Sequence, residues 1–518
     1  MSNSFKPRYD AVIIGAALAG LSAAIELRKA GLDVLVLEQH NLPGGVATSY
    51  VRGGAEIEAS LHEMCSIGTE QHPLRVRQFF KNHGVPVDWV KIPYCFRYVS
   101  PNVDVNLPCG ENGDFTKPIQ AIAKACHDTD GSIMKKLKDF FDLAHAVYES
   151  MNVLSTKKLG KLAMFLHHRQ FVFTAGYTCK EIFDHFKFPK EVREILSAYW
   201  IYLGSPIRDL PFSIYAYILV DYIGYGPYIP KHTSFELSAK LERIAKNAGA
   251  NIEYKQRVDK ILVEKGKVKG IRLASGEEIE TSRIICGAYP NTVYSSLIEP
   301  KKEIPAKAKK WVNANELGVS VFSVVLLLDK EADELGFKDY ATFVAPNGMD
   351  SEKFYASGKG NEGWEYLTCV CPNVVHEDAS PKGTSLYSIT YLPDGSSMKD
   401  LSLEEYEEYK RTHVERFLDA ESKRLGINLR EHILEIIVET PLTISHYTGA
   451  YMGSIYGYRH SMHNHVAART LQKGDDRFID GLYFAGAHSL SGDGMAPQID
   501  HGVSAAKDLL LDMKKGGK

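Results

Sequence analysis

The chain has 518 residues, of which 44% are hydrophobic and 24% are charged. This composition is typical of a globular protein, and the length exceeds what one compact core supports, which predicts two domains. The formal net charge of −3 excludes the global basic field that nucleic-acid binding requires, so we expect no nucleic-acid partner.

The eight cysteines are scattered, and none forms a C-x-x-C pair or a cysteine–histidine cluster with zinc spacing, so we expect no metal site. We recognise no secretory leader and no apolar run of about 20 residues, which predicts reduced thiols in a cytoplasmic protein that does not span a membrane. Cys369 and Cys371 alternate as in a strand, and redox pairing of their thiols is a minor alternative.

The beginning of the chain has the pattern of a β-α-β unit. Tyr9–Ile14 is a short apolar run typical of a buried strand, and residues 15–20 form a glycine turn. Leu21–Ala30 has helical composition, and Val34–Leu37 is a second buried strand followed by Glu38. An acidic residue about 20 positions beyond such a turn can bind ribose hydroxyls, so the unit predicts a dinucleotide site.

The turn departs from the G-x-G-x-x-G pattern at its middle position, Ala17. Gly15 forms the tight turn, Gly20 allows the helix to pack on the strand, and the middle position lets the backbone approach a diphosphate. The methyl group of Ala17 crowds that approach, although the N–H groups and the helix dipole remain. We predict a functional but weakened or rearranged site. The alternative is a β-α-β unit that binds no ligand.

A second glycine turn follows closely, because Gly44 and Gly45 lie in the stretch PGGVAT at residues 43–48. A flavin dinucleotide extends further than NAD, and a second turn lets the backbone pass beside its diphosphate and ring. No other glycine fingerprint occurs, so we expect no separate NAD(P)H domain. The pattern therefore favours FAD as the cofactor.

The middle of the chain predicts a helical region followed by further strands. Residues 118–162 are helical in pattern, and residues 197–230 are rich in tyrosine. Most of these tyrosines are expected in a helical core, and some in the wall of a long apolar pocket. Short strands between 251 and 286 indicate that the nucleotide domain resumes, and GLYFAGAH near the C-terminus predicts a strand that returns to it. A second sheet is predicted from Val319–Leu328, Thr368–Val370 and Ser385–Tyr391.

Together these motifs resemble the flavoprotein family of phytoene desaturases, carotenoid isomerases and retinol saturases. The resemblance covers most of the chain and rests on IIGAALAGLSAA, VLVLE, LPGGVATS, the tyrosine-rich block ending in YIPKHTSFEL, and GLYFAGAH. The stretch TPLTISHYTG from Thr440 is similar to the isomerase and saturase branch. The resemblance implies an α/β, flavin amine oxidase-like architecture, in which a Rossmann-type FAD-binding domain is interleaved with a substrate domain of mixed sheet and helices.

This architecture predicts five consecutive segments. Residues 1–100 and 231–300 form the first and second parts of the FAD-binding domain, and 101–230 is an inserted, helical, tyrosine-rich segment that faces substrate or membrane. Residues 301–455 form the sheet and helices of the substrate domain, and 456–518 return to the FAD-binding domain and end in a helix.

The resemblance also implies which residues contact FAD. Carried over by position, they are Gly15, Gly20, Glu38, Gly44, Gly45, Val258 and Gly486, with Ala17 in the first turn. Val258 would bind the adenine through its backbone. Ala487 stands where such flavoproteins often carry an acid, and Asp493 is expected to substitute for it. Two further departures are residues 58–62, EASLH, and Lys231–Thr233, which replaces a glycine pair near the flavin.

A proton transfer near the cofactor needs a group that titrates close to neutral pH, and histidine fits. His62 and His232 fall in segments that the resemblance places near FAD, and Glu63 can act as acid or base if it is buried. We predict these three as catalytic residues. His488 and His501 are weaker candidates, and every histidine has a structural or surface role as its alternative.

The predicted activity is that of a FAD-dependent oxidoreductase acting on carbon–carbon double bonds of a lipophilic, carotenoid- or isoprenoid-like substrate. Desaturation, saturation and cis-trans isomerisation stay open, as does the electron partner. Two alternatives are an amine-oxidase-like flavoprotein and a non-catalytic flavin- or lipid-binding protein. A membrane surface is a further candidate partner, because Thr156–Arg169 and the tail DMKKGGK combine apolar and basic residues. An ordinary amphipathic helix and a frayed terminus are the alternatives.

Overall fold

Short strands and helices alternate along most of the chain. The computed structural model describes residues 5–156, 161–359, 365–464, 477–488 and 493–516. Within these ranges the strands are β1 (Ala11–Ile14), β2 (Val34–Leu37), β3 (Ser49–Arg52), β4 (Ala55–Glu58), β5 (Trp89–Lys91), β6 (Tyr94–Val99), β7 (Asp104–Pro108), β8 (Tyr228–Pro230), β9 (Asn251–Glu253), β10 (Val258–Glu264), β11 (Lys267–Leu273), β12 (Glu278–Glu280), β13 (Ile284–Cys286), β14 (Ile298–Glu299), β15 (Phe322–Leu328), β16 (Ala341–Val344), β17 (Leu367–Val370), β18 (Ser385–Tyr391), β19 (Ile433–Glu439) and β20 (Leu482–Phe484).

The helices follow local signals in the sequence. For example, Ser402 and Glu405 form a capping box at the start of the longest charged helix, and Gly426, with a φ of 72°, ends it. The α-helices are α1 (Leu18–Lys29), α2 (Arg75–Asn82), α3 (Thr116–Ala125), α4 (Ser132–Thr156), α5 (Lys161–His167), α6 (Arg169–Thr174), α7 (Cys179–Phe186), α8 (Lys190–Ser197), α9 (Phe212–Leu219), α10 (Phe235–Asn247), α11 (Pro290–Thr292), α12 (Ala306–Ala314), α13 (Ser351–Lys359), α14 (Leu403–Leu425), α15 (Pro441–Thr448) and a C-terminal helix (Met495–Gly516).

A five-stranded parallel sheet has the order β20-β13-β1-β2-β9. Its central strands are apolar along their whole length, as expected when helices or other layers cover both faces. The sheet joins three separated stretches of chain, as the sequence predicts, because β13 and β20 pair with each other and β13 pairs with β1. The α/β character predicted from the sequence is confirmed.

A seven-stranded mixed sheet has the order β19-β15-β18-β17-β16-β6-β7. Its neighbours are antiparallel except for β16 and β6, which are parallel. The β6–β7 hairpin therefore belongs to the sheet that is otherwise built from residues 322–439. The predicted segment boundary between residues 100 and 101 passes through this hairpin, and the other segment boundaries stay a prediction.

Helix α1 is held between the parallel sheet and the C-terminal helix. Ser22 Oγ donates to the Ile499 carbonyl at 2.9 Å, and a Cβ at Gly502 would lie only 2.0 Å from the Ala19 carbonyl oxygen. The backbones of the two helices are therefore in close contact. This packing determines where the N-terminal end of α1, and with it the first glycine turn, lies relative to the sheet.

The helices between residues 116 and 219 form a separate layer with an aromatic interior. Tyr199 and Tyr215 are fully buried there, and Tyr215 donates its hydroxyl hydrogen to the Leu196 carbonyl at 2.8 Å. These two tyrosines confirm the prediction of a tyrosine-rich helical core. In the part of the chain that the structure describes, no helix is both long and apolar enough to cross a bilayer.

Candidate functional site

One cavity of about 3000 Å³ extends from the glycine turns to the helical layer and the seven-stranded sheet. It brings together every residue that the sequence assigned to cofactor binding or catalysis. The cofactor candidates on its wall are Gly15, Ala17, Gly20, Glu38, Gly44, Gly45, Val258, Gly486 and Asp493, and the catalytic candidates are His62, Glu63 and His232. The roles of these residues stay predictions, but their common location is now established.

The N-terminal end of α1 opens into this cavity. Ala17 is its N-cap residue and makes no side-chain hydrogen bond, and the first turn contains no acidic residue. The N–H groups of Leu18, Ala19 and Gly20 have no acceptor within the helix, as in any first turn. Free N–H groups and the positive end of the helix dipole together favour an anion such as a diphosphate.

Gly20 and Gly44 occupy positions where a side chain would collide with backbone. A Cβ at Gly20 would lie 2.0 Å from the Gly15 carbonyl oxygen, and a Cβ at Gly44 would lie 2.2 Å from the Ala47 carbonyl oxygen. The Gly44 N–H donates to the Ala16 carbonyl at 2.9 Å, so the turns touch each other. These close backbone contacts keep the diphosphate end of the cavity open.

The methyl group of Ala17 is accommodated by the second glycine turn. Ala17 has φ −73° and ψ 173°, a conformation that any L-residue adopts. A Cβ at Gly45 would lie 3.2 Å from the Ala17 Cβ, so the space next to the methyl group is available only because residue 45 is glycine. Whether the methyl group weakens diphosphate binding stays a prediction.

Glu38 is buried at the end of β2 and is oriented by two backbone groups. Its Oε2 accepts from the Ala16 N–H and its Oε1 from the His40 N–H, both at 2.8 Å. Each carboxylate oxygen retains a lone pair for a further donor. The Gln256 N–H donates to the Glu38 carbonyl at 2.9 Å, which brings the start of β10 and Val258 to the same end of the cavity. This set of donors and acceptors fits the ribose and adenine of a dinucleotide.

His62 and Glu63 lie in the segment after β4 and line the cavity side by side. Burial lowers the pKa of His62 to about 4, so its imidazole is neutral at neutral pH. Burial also raises the pKa of Glu63 well above its usual range, which favours the protonated carboxyl group. The hydroxyl of Tyr202 lies close enough to oppose that rise in the pKa, although it does not reach hydrogen-bond geometry. Burial therefore disfavours the charged form of both groups.

The other histidines differ in exposure. His232 lines the cavity, and the residue is exposed. Its backbone N–H donates to Glu236 Oε2 at 3.4 Å. His488 and His501 are buried and do not line the described cavity wall. Among the four histidines predicted near the cofactor, His232 is the one that is exposed to solvent.

A family model described as flavin containing amine oxidoreductase matches residues 18–510. The chain belongs to this family. The prediction of a FAD-dependent enzyme is therefore confirmed, and the glycine turns, the α1 N-terminus and Glu38 provide a site that fits FAD.

Similar proteins extend over nearly the whole chain. The chloroplastic prolycopene isomerase of Daucus carota is 24% identical over 530 residues, which covers 98% of this chain and 80% of the relative. The all-trans-retinol 13,14-reductase of Danio rerio is 24% identical over 489 residues, which covers 88% of this chain and 78% of the relative. These relatives confirm the resemblance that the sequence motifs indicate.

Solved structures of the family share the fold. A putrescine oxidase with bound putrescine aligns with a TM-score of 0.62 at 15% identity, covering 98% of this chain and 99% of that one. The cyclohexylamine oxidase of Brevibacterium oxydans aligns with a TM-score of 0.59 at 15% identity, covering 98% and 100%. The flavin amine oxidase-like architecture predicted from the sequence is confirmed.

Asp493, predicted to replace an acid near the flavin, is paired with a residue that the sequence did not indicate. Its Oδ1 lies 2.6 Å from His460 Nε2, and both side chains are buried. Asp493 lines the cavity, as do Gly486 and Ala487, whereas His460 lies behind Asp493 and is not part of the described wall. No local pattern marks His460. It lies shortly after the stretch that resembles the isomerase and saturase branch, and this position is the sequence feature that could have identified it.

Two further carboxyl groups of the family site were missed. Glu58 accepts from the Ser234 N–H at 2.6 Å and from its hydroxyl at 2.7 Å, and burial raises its pKa to about 7. Glu439 accepts from the Tyr50 hydroxyl at 2.7 Å, and burial raises its pKa to about 8. Both residues line the cavity. Glu58 stands in the stretch EASLH, whose departure from the family pattern was the only indication in the sequence.

Proposed function

We propose that this FAD-dependent enzyme acts on carbon–carbon double bonds of a lipophilic, carotenoid- or isoprenoid-like substrate, by desaturation, saturation or cis-trans isomerisation. One observation carries the proposal, namely that a single cavity joins the two glycine turns to a wall of aromatic and aliphatic side chains. Tyr202, Tyr217 and Tyr222 belong to this wall. The relatives named prolycopene isomerase and all-trans-retinol 13,14-reductase support a lipophilic substrate.

FAD, when bound, supplies the electron-accepting and electron-donating chemistry that amino-acid side chains lack. The N–H groups of Leu18, Ala19 and Gly20 would bind its diphosphate, and Glu38 would accept hydrogen bonds from ribose hydroxyls. Because Gly45 has no side chain, the backbone of the second turn would be able to approach the FAD diphosphate. The aromatic wall would exclude water from the substrate.

The candidates for proton handling differ by location. Burial raises the pKa of Glu63 and lowers that of His62, which favours the uncharged form of both groups. His232 is exposed where it lines the cavity. We assign to His232 the exchange of protons with solvent.

The test uses protein reconstituted with FAD, which is expected to be yellow and to bleach with dithionite. Prolycopene and all-trans-retinol are then added without oxygen to the oxidised and to the prereduced protein. Bleaching indicates desaturation, reoxidation indicates saturation, and a changed double-bond geometry without either indicates isomerisation. A FAD-loaded protein that transforms neither compound would contradict the proposal.

Amine oxidation is the second candidate function, because Glu58 and Glu439 place carboxyl groups in the cavity where an ammonium group would find partners. Putrescine and cyclohexylamine test it, with hydrogen peroxide release as the measurement. Release with an amine and no reaction with a polyene would favour this candidate. A flavin-loaded protein inert toward both classes would favour the non-catalytic alternative.

We further propose that α5 and α6 rest on an anionic lipid surface. Their exposed apolar side chains include Leu162, Phe165, Leu166 and Phe173, with exposed fractions between 48% and 71%. Met164, Phe165, Phe171 and Val172 line the cavity, so this apolar surface adjoins it. Arg169 supplies positive charge for anionic headgroups. Residues 157–160 and 517–518, which belong to the two stretches predicted to touch lipid, lie outside the described residues.

A further inference from the structure

We propose that the cavity contains a polar subsite, formed by Glu63, Tyr202 and His62, which binds a hydroxyl or carbonyl group of an otherwise apolar substrate. The inference deepens the proposed function, on which its choice of a lipophilic substrate rests. It excludes a pure hydrocarbon as the best ligand. It also assigns Glu63 to substrate binding rather than to proton transfer.

The subsite is defined by buried polar atoms that lack partners. Both carboxyl oxygens of Glu63 and the hydroxyl of Tyr202 are shielded from solvent, and none makes a hydrogen bond to any described residue. Glu63 is only 5% exposed. Glu63, Tyr202 and His62 all line the cavity, and the rings of His62 and Tyr202 lie 6.4 Å apart, edge to face.

Three neighbouring hydroxyls donate their hydrogens to backbone carbonyls rather than to the Glu63 carboxyl group. The Tyr222 hydroxyl donates to the Glu63 carbonyl at 3.2 Å, and the Tyr340 hydroxyl donates to the His62 carbonyl. The Tyr199 hydroxyl donates to the Cys95 carbonyl at 3.4 Å. The Tyr202 hydroxyl lies near the Glu63 carboxyl group but makes no hydrogen bond to a described residue.

The surroundings make an unpaired carboxyl group costly. The ring of Tyr202 packs against those of Tyr199, Tyr222 and Phe343, with centroids 5.1 to 5.8 Å apart. In such an environment a buried polar group without a partner costs about 1–3 kcal/mol of stability. A ligand oxygen can accept from the Tyr202 hydroxyl and from a protonated carboxyl, whereas a hydrocarbon leaves both unpaired.

The subsite residues belong to other parts of the chain than the first glycine turn and Glu38. Tyr202 lies in the helical turn Ala198–Tyr202, and the thiol of Cys109, just after β7, lies close enough to Glu63 to raise its pKa. Gly15, Gly20 and Glu38 instead belong to the parallel sheet and α1. The subsite residues therefore come from segments outside the β-α-β unit that is predicted to bind the dinucleotide.

The test measures the affinity of the FAD-loaded enzyme for geranylgeraniol and for the C20 hydrocarbon with hydrogen in place of its hydroxyl. Wild type is expected to prefer the alcohol by roughly tenfold, since one or two hydrogen bonds separate the ligands. Tyr202→Phe and Glu63→Leu are each expected to reduce this preference by about three- to tenfold, with little change in hydrocarbon affinity.

Tyr217→Phe is the matched control. Its hydroxyl also belongs to the cavity wall but already donates to Asn152 Oδ1 at 3.1 Å, so the preference for the alcohol should persist. Glu63→Leu is also expected to keep or raise the melting temperature, because it removes an unpaired buried group. A structural Glu63 with a satisfied partner would give a lower melting temperature instead.

The outcomes separate this inference from the proposed function. Equal affinity of wild type for the two ligands, binding of neither, or an unchanged preference in both variants would overturn the polar subsite. Preferred binding of the alcohol by an enzyme that takes up FAD but transforms no polyene would support the subsite and contradict the proposed reaction.

Discussion

At the scale of single residues, Ala17 and Gly45 lie next to each other, one in each glycine turn. The methyl group of Ala17 lies where a Cβ at residue 45 would come within 3.2 Å. Gly45 also has a φ of 63°, which L-residues adopt at a cost of about 1–2 kcal/mol. We propose that the glycine of the second turn compensates for the missing glycine of the first.

We therefore predict that Gly45→Ala weakens FAD binding by about tenfold, from backbone strain together with the contact to Ala17. Ala17→Gly is expected to retain or increase affinity, and the double variant to recover part of the loss. FAD fluorescence quenching during titration of apoprotein measures the affinities. Wild-type affinity of Gly45→Ala would show that the two turns do not compete for this space.

Glu439 provides a prediction about pH. Burial raises its pKa to about 8, so the folded protein retains a proton that the unfolded chain releases near its usual pKa of about 4.3. Since the folded state then binds more protons, stability contributed by this residue falls as the pH rises from about 4 to about 8.

Glu439→Gln is therefore expected to exceed wild type in stability by roughly 2–4 kcal/mol at pH 8, with the gap closing toward pH 4. Glutamine retains an oxygen that can accept from the Tyr50 hydroxyl. Thermal unfolding across this pH range measures the effect. Glu435→Gln, an exposed position on the same strand, is the control, and an equal gap at both pH values would refute the assignment.

At the scale of secondary-structure elements, α5 and α6 expose apolar side chains on a surface that continues into the cavity wall. Phe165 does both, since it is 48% exposed and lines the cavity. The contact between the Phe165 and Phe173 rings, with centroids 6.0 Å apart, links the two helices. Under the proposed lipid contact, the two helices would offer a lipophilic molecule a route from the membrane surface to the cavity.

Phe165→Glu and Leu166→Glu are predicted to reduce binding to vesicles that contain phosphatidylglycerol by about tenfold each, because a charge replaces apolar contact area. Leu434→Glu, on β19, is the matched control, because Leu434 is similarly exposed at 55%. Vesicle cosedimentation is the measurement. Equal losses in all three variants, or no binding by wild type, would exclude this surface as the lipid contact.

At the scale of the whole molecule, the cofactor site depends on stretches of chain far apart in sequence. Gly15 and Glu38 come from the beginning, Val258 from the middle and Gly486 from the end. A ligand that binds all of them stabilises the folded state but not the unfolded chain. FAD therefore contributes to the stability of the whole fold.

Apoprotein supplied with FAD at about 100 times its Kd should gain about 2.7 kcal/mol, or about 2–3 °C in melting temperature for a chain of this size. Glu38→Leu is expected to show a smaller gain at the same FAD concentration. Differential scanning calorimetry with and without FAD provides the measurement. A melting temperature that does not respond to FAD would contradict the predicted site.

The β-α-β unit could be predicted from the sequence because its signals are local. β2 has the predicted bounds, and the predicted helix begins only three residues after the observed start of α1, at Leu18. Buried strands, glycine turns and a terminal acid occur within 38 residues, and each is determined by its own neighbours. The likeness to flavoproteins was visible for the same reason.

Contacts between distant residues were decided only by the tertiary structure. Tyr50 bonds to Glu439 across 389 positions, His460 pairs with Asp493 across 33, and the β6–β7 hairpin joins a sheet formed mostly by later strands. No local pattern specifies such partners, because they depend on how the layers pack. The sequence by itself therefore determined the nucleotide-binding unit and its family, while the folded chain decided which polar groups are buried, paired or left facing the cavity.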